Sequence, residues 1–158
     1  MNYFETFGIN VGKGNHHEET IYSIVLAFNL LNNEMTAYLK EFNLTPAQFN
    51  VLMVIRHQGS TDGMSQVEIS KKLIVTASNM TRLLDKLERE KLVQRASHAG
   101  DRRVKIIQIT EKATKLLDTV WPGYNEKLKQ LANHLDPKEQ ETVSRILVKL
   151  VNKLANSG

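Results

Sequence analysis

Between Ser65 and Ile109 the spacing of apolar residues switches from helical to extended, and this switch narrows the fold more than any compositional feature. Ser65-Gln66-Val67-Glu68 has the residues of a capping box, a Ser whose oxygen takes a backbone N–H three residues on and a Glu that reaches back. It predicts a short helix to about Lys72, after which Leu73-Ile74-Val75 turns into a new start at Thr76. The next helix is expected from Ala77 to about Glu90. Met80, Leu83, Leu84 and Leu87 share one face of it, and Ser78, Asn79, Arg82, Lys86 and Arg89 fall largely on others. Leu92 to Ala96 and Val104 to Ile109 are then short and rich in β-branched residues. The stretch between them, Ser97-His98-Ala99-Gly100-Asp101, has turn composition, so the pair reads as a hairpin.

The flanks are helical. The start, with Gly8, Gly12 and Gly14, reads as a flexible tail over residues 1–15, on which Phe4, Phe7 and Ile9 are the side chains that could dock. Apolar residues then recur at Ile21, Ile24, Val25, Phe28, Leu31, Met35, Tyr38, Leu39 and Phe42, the period of one long helix. Thr45-Pro46-Ala47-Gln48 opens another: Thr45 caps, Pro46 sits where a missing N–H costs nothing, Gln48 can close the box, and Gly59 ends the helix. From Thr110 the helical period returns through Leu117, Val120, Tyr124, Leu128 and Leu131, with Pro122 as the point of bending. Asp136-Pro137-Lys138-Glu139 starts the last helix, striped by Val143, Ile146, Leu147, Leu150, Val151 and Leu154.

The predicted fold is therefore mainly α with a small β-hairpin wing, a winged helix-turn-helix over residues 45–110 whose second helix suits the DNA major groove. The terminal helices, 16–44 and 111–156, carry more apolar surface than so small a core can absorb, which predicts a dimerisation region.

Composition excludes other classes. A chain of 158 residues is one domain in length, and 41% hydrophobic with 24% charged residues is a globular balance. The absence of cysteine rules out disulfides, thiolate zinc sites and thiol chemistry. No apolar run approaches the roughly 20 residues of a membrane span, and no basic-then-apolar leader is visible, so a cytoplasmic protein without membrane contact is expected. His16-His17-Glu18-Glu19 fails as a zinc-protease motif because position 21 is Ile, and the glycines around Lys13 lack the phosphate-loop spacing. No catalytic residue, metal or cofactor is expected.

Charge is localised. Residues 71–105 hold ten basic side chains (Lys71, Lys72, Arg82, Lys86, Arg89, Lys91, Arg95, Arg102, Arg103 and Lys105) against four acidic ones (Asp85, Glu88, Glu90 and Asp101). That block is +6 in a chain of net +4, so everything outside it is −2. Alone, such a run reads as solvated surface. On the second helix of a helix-turn-helix and at a hairpin tip, it reads as a surface for a polyanion.

Several segments resemble the MarR family of bacterial and archaeal transcription regulators, from about Glu18 to Leu154. Leu44-Thr45-Pro46-Ala47-Gln48-Phe49-Asn50-Val51-Leu52 resembles the start of the family's second helix. The run from Asn79 to Glu88 resembles its recognition helix, and Leu92-Val93-Gln94-Arg95 the strand after it. The most specific likeness is Asp101-Arg102-Arg103 followed by Thr110-Glu111-Lys112, similar to the family's wing-to-helix signature. Two positions depart from the pattern. Lys91 stands where the family often has a glycine in the left-handed conformation, which would cost lysine about 1 kcal/mol, so the helix is expected to end differently. Ala113 replaces another common glycine in a first helical turn, where alanine is well suited.

The resemblance implies a homodimeric repressor on a pseudo-palindromic DNA site. Thr76, Ser78, Asn79 and Thr81 are then candidates for base edges or phosphates, Arg82 for guanine or phosphate, and Lys86 for phosphate. The family's wing implies that Arg103 enters the flanking minor groove, oriented by Asp101, with Arg102 nearer the backbone. A small-molecule effector, if one exists, is expected between the dimer helices and the DNA-binding lobe, with no motif to name its residues. Trp121 and Tyr124 read as core or interface, with an effector crevice as the other reading. The competing class is a winged-helix protein-interaction module without DNA binding; an enzyme is a distant third.

Overall fold

The computed structural model describes residues 3–9, 11–12, 14–59, 63–73, 79–97 and 105–157. The chain divides into two compact units, Met1–Pro46 and Ala47–Gly158. In the first, a 3-10 turn over Tyr3–Phe7 precedes α1, His16–Lys40. The Gly12 N–H donates to Glu19 Oε1 at 2.6 Å. Phe7 and Ile9 line a cavity of about 550 Å³ with Glu18, Tyr22, Val25 and Leu26 of α1. The helix closes through Asn43 at φ 56°, with the Leu44 N–H returning to Leu39 O and both leucines buried. Along α1, Ile21, Tyr22, Val25, Phe28, Leu30 and Leu31 are exposed.

The second unit follows the order α2 (Pro46–Gln58), β1 (Met64–Ser65), α3 (Gln66–Lys72), α4 (Met80–Arg89), β2 (Val93–Ser97), β3 (Lys105–Ile109), α5 (Glu111–Ala132) and α6 (Pro137–Ala155). Its centre is built from Val51, Leu52, Ile55, Ile69, Leu84, Leu87, Ile107, Leu117 and Val120, all buried. Phe49 of α2 meets Tyr124 of α5 at a ring distance of 4.5 Å, and Arg56 donates to Asp118 at 2.6 Å, so α2 and α5 are fastened twice. Burial raises the Tyr124 phenol above its ordinary pKa. α5 runs through Pro122 as a single helix. Asp136 caps α6 with a reciprocal box to Glu139, yet α6 buries none of its residues. Ile146, Val148, Val151 and Leu154 are all more than half exposed.

The predicted hairpin is present and is joined by a strand that sequence did not reveal. β3 pairs antiparallel with both β2 and the two-residue β1, in the order β1-β3-β2. A two-residue strand has no period to read. Its signature is Gly63 at φ 93°, where a Cβ would lie 2.6 Å from Ile107 O and against Ile106 Cγ2, so only glycine lets β1 approach. β1 leads directly into α3 through the expected box: Ser65 Oγ accepts from the Glu68 N–H at 3.3 Å, and Glu68 Oε2 accepts from the Ser65 N–H at 2.8 Å.

Two expectations about α4 need correction. The helix starts at Met80, not at Ala77 after a Thr76 cap. Asn79 has φ −143° and ψ 71°, outside the helical region, and its Oδ1 accepts from the Arg82 N–H at 3.2 Å. Asn79 therefore caps the helix, and residues 74–78, which include the expected start at Thr76, lie outside the described residues. At the other end the left-handed residue is kept despite being lysine. Lys91 has φ 59°, with its N–H on Glu88 O and the Leu92 N–H on Leu87 O, both at 2.9 Å. The buried pair Leu87 and Leu92 closes this motif, and its packing outweighs the backbone cost. Lys91→Gly is therefore expected to raise the unfolding free energy by about 0.5–1 kcal/mol. Urea unfolding of wild type and variant at one protein concentration checks this; an unchanged or lower midpoint would contradict it.

Candidate nucleic-acid interface

α4 has two unlike faces. Met80, Leu84 and Leu87 are buried, while Thr81, Arg82, Lys86 and Arg89 are exposed. The helical period puts Arg82, Lys86 and Arg89 on one outward stripe, with Thr81 at its edge and Asn79 at the amino end. Among the described residues Arg82 and Arg89 form no ion pair, and Lys86 reaches Glu90 only at 3.8 Å across one turn. Thr81 Oγ1 accepts from Gln66 Nε2 of α3 at 3.1 Å, joining the two helices of the motif at their amino ends. Thr76, Ser78, Asp101, Arg102 and Arg103, all named from sequence, lie outside the described residues.

Arg95 is not part of the free basic surface. From β2 its Nη2 donates to Asp85 Oδ1 at 2.6 Å and its Nη1 to Glu88 Oε2 at 2.5 Å, while its backbone N–H donates to Glu88 Oε1 at 3.3 Å. The Asp85 hydrogen bond, aided by the field of both carboxylates, holds the guanidinium above its ordinary pKa against partial desolvation. Sequence could have shown this clamp. Asp85 and Glu88 lie three apart on one helix face, and an arginine on the next strand matches two carboxylates better than it matches solvent.

A second brace was also missed. Thr110 Oγ1 accepts from the Ala113 N–H at 3.2 Å as the cap of α5, and it donates to Lys91 O at 2.8 Å. Lys112 Nζ donates to Glu90 O at 2.7 Å. Thr110 and Lys112 thus satisfy carbonyls left open at the end of α4, where a cation also suits the helix dipole. Trp121 lies stacked beside Tyr124 at 5.8 Å and stays 42% exposed, while Tyr124 packs on buried Phe49. Among the described residues no group of three or more His, Asp or Glu side chains could hold a metal ion. No helix there is long and apolar enough to cross a membrane.

The MarR family model matches residues 44–105, the span of the helix-turn-helix and much of the wing. An HTH-type transcriptional regulator of Bacillus cereus is 31% identical over 142 residues, covering 87% of this chain and 90% of the relative. The chain belongs to the MarR family. HTH-type transcriptional regulator MhqR of Bacillus subtilis is 29% identical over 121 residues, 77% of this chain and 81% of MhqR. Among solved structures, a DNA complex of MepR from S. aureus superposes with a TM-score of 0.73 at 28% identity, covering 84% of this chain and 96% of MepR. The protein is a MarR-family transcriptional regulator with a winged-helix fold, and MarR-family members are not enzymes.

Removing Arg95 from this MarR-type lobe leaves Asp85 and Glu88 as neighbouring carboxylates without a partner. Arg95→Ala is expected to cost about 1–2 kcal/mol of stability, discounted for partial exposure of the pair. Asp85→Ala and the double variant should show coupling above about 0.5 kcal/mol in denaturant unfolding; additive losses would contradict a clamp.

Proposed function

We propose that this MarR-family regulator binds duplex DNA sequence-specifically as a homodimer on a pseudo-palindromic site and acts as a repressor. The observation that carries the reading is the outward stripe of α4, where Arg82 and Arg89 stand exposed without ion-pair partners among the described residues. A buried face of Met80, Leu84 and Leu87 anchors the helix, so the stripe is presented on a rigid element. Cations so placed suit phosphates, and a capped amino end carrying Asn79, Thr81 and Arg82 suits base edges. The MepR complex, a relative of the same fold bound to DNA, supports the same use here.

In the proposed complex, Thr76 and Ser78 join Asn79, Thr81 and Arg82 at the major groove, Lys86 holds phosphate, Arg103 enters the minor groove beside Asp101, and Arg102 contacts the backbone. The exposed apolar stripes of α1 and α6 supply the argument for a dimer, since each leaves large side chains in water along several turns. Two recognition helices about one DNA turn, ~34 Å, apart then read half-sites of inverted sequence. Repression follows from occupying the duplex. A small-molecule effector would release it only by favouring a spacing of the two helices that DNA does not fit.

Two measurements test this reading. Titration of a selected duplex at rising salt should show affinity falling steeply, with Arg103→Ala weakening specific binding by about 1–3 kcal/mol and flattening the salt slope. Salt-independent association, or wild-type affinity in Arg103→Ala, would contradict the DNA assignment or its wing contact. Ile146→Asp should convert dimer to monomer in light scattering, because Ile146 is 52% exposed in the single chain and the change costs that chain little. A wild type with the mass of one chain at micromolar concentration would contradict the dimer.

A further inference from the structure

We propose that Gln66 biases the hydrogen-bond polarity of Thr81 toward donation, so that the recognition helix favours keto-bearing base edges, guanine O6 or thymine O4, at the position Thr81 contacts. The inference rests on the DNA-binding reading above and adds the chemical class of the base.

A threonine hydroxyl carries one proton and two lone pairs and rotates to suit its surroundings, so by itself it reads donors and acceptors alike. In this chain it is not by itself. Gln66 Nε2 donates to Thr81 Oγ1 at 3.1 Å, and no second partner for that hydroxyl is present among the described residues. Gln66 is held in place from behind through its backbone. It is the first residue of α3, half-buried, and follows Ser65, which is fixed both by the capping box and by pairing with Ile106 of β3. With one lone pair occupied from the protein side, the hydroxyl proton turns outward. An acceptor on DNA meets that proton directly, whereas a donor finds one open lone pair where a free hydroxyl offers two.

The neighbours of Thr81 have the same polarity. The Asn79 Oδ1 is engaged by the Arg82 N–H at 3.2 Å, which leaves its amide N–H groups as the part to extend outward. Arg82 has donors only. The described amino end of α4 therefore offers donors. In the major groove guanine presents N7 and O6 and thymine presents O4, all acceptors, while cytosine presents an amino donor and adenine an amino donor beside N7.

Gln66→Glu reverses the polarity without changing the shape. A carboxylate accepts from the Thr81 hydroxyl, turns its proton inward and leaves lone pairs for DNA. The added charge in the first turn of α3 favours the helix, so the fold is retained. It also weakens DNA binding uniformly, so the measurement is the relative base preference at each position. Gln66→Met keeps the volume and removes the hydrogen bond.

The experiment is selection of random duplexes by the purified full chain and by Thr81→Val, Gln66→Glu and Gln66→Met. Thr81→Val locates the contacted position as the one whose preference flattens. There the wild type is expected to favour guanine or thymine over adenine or cytosine by roughly fivefold or more. Gln66→Met should relax that preference, and Gln66→Glu should shift it toward adenine or cytosine, with preferences elsewhere unchanged. A preference at that position that is the same in all Gln66 variants overturns the proposal, as does a Thr81→Val that flattens no position. A wild type that enriches no sequence at all overturns the DNA-binding reading itself and is distinguishable from both.

Discussion

The carboxyl end of α4 fixes the geometry on which the rest of the second unit depends. Within three residues, Glu90 to Leu92, the chain leaves a helix and enters an antiparallel strand, which the left-handed backbone of Lys91 makes possible. The carbonyls exposed by so abrupt an exit are bonded from the start of α5: Lys112 Nζ to Glu90 O at 2.7 Å, and Thr110 Oγ1 to Lys91 O at 2.8 Å and Leu92 O at 3.2 Å. The Thr110 N–H also donates to Leu92 O at 3.1 Å. The end of α4, the base of the wing and the start of α5 are thus one hydrogen-bonded joint. None of the three can rotate alone without leaving polar groups unpaired.

The Arg95 clamp adds a second fastening between α4 and β2 and changes how the basic block is read. One arginine lies between Asp85 and Glu88 and offsets one of their two negative charges at short range. The triad thus carries −1 of the +6 of residues 71–105, and the nine basic and two acidic side chains outside it carry +7. Two acidic residues on the recognition helix, which would repel phosphate if free, are instead turned toward the wing strand. The clamp therefore serves both the fold and the field outside it.

Elements with a period or a cap were legible in sequence. The long stripe of α1, the boxes at Ser65 and Asp136, and the β-branched strands of the wing each state a local preference that the secondary structure follows: α1 forms, both boxes close and the strands pair. β1 was not legible because two residues carry no alternation, and only the close approach at Gly63 explains them. The start of α4 was misplaced because Thr76 and Asn79 are both good caps, and nothing local says which N–H groups need one. Lys91 differs for another reason: the backbone cost is visible in sequence, but the burial of Leu87 and Leu92 on either side of it is not. At the candidate site, Asn79, Thr81, Arg82 and Lys86 are named from pattern, whereas the supports in Gln66, Thr110 and Lys112 act across elements and become visible only once those elements meet; the Arg95 clamp alone leaves a signal, two carboxylates three apart on α4 ahead of an arginine on the next strand.

In the proposed complex two copies of this lobe face one side of a duplex, each reading a major groove with α4 and a flanking minor groove with the wing. A hydroxyl-radical footprint combined with guanine N7 methylation protection, on a site selected by the protein, measures that arrangement directly. N7 protection is expected in two patches ~34 Å apart, one helical turn, on the same face, with backbone protection extending to the minor groove outside each. A single protected patch, protection on opposite faces, or protection confined to the minor groove would contradict it.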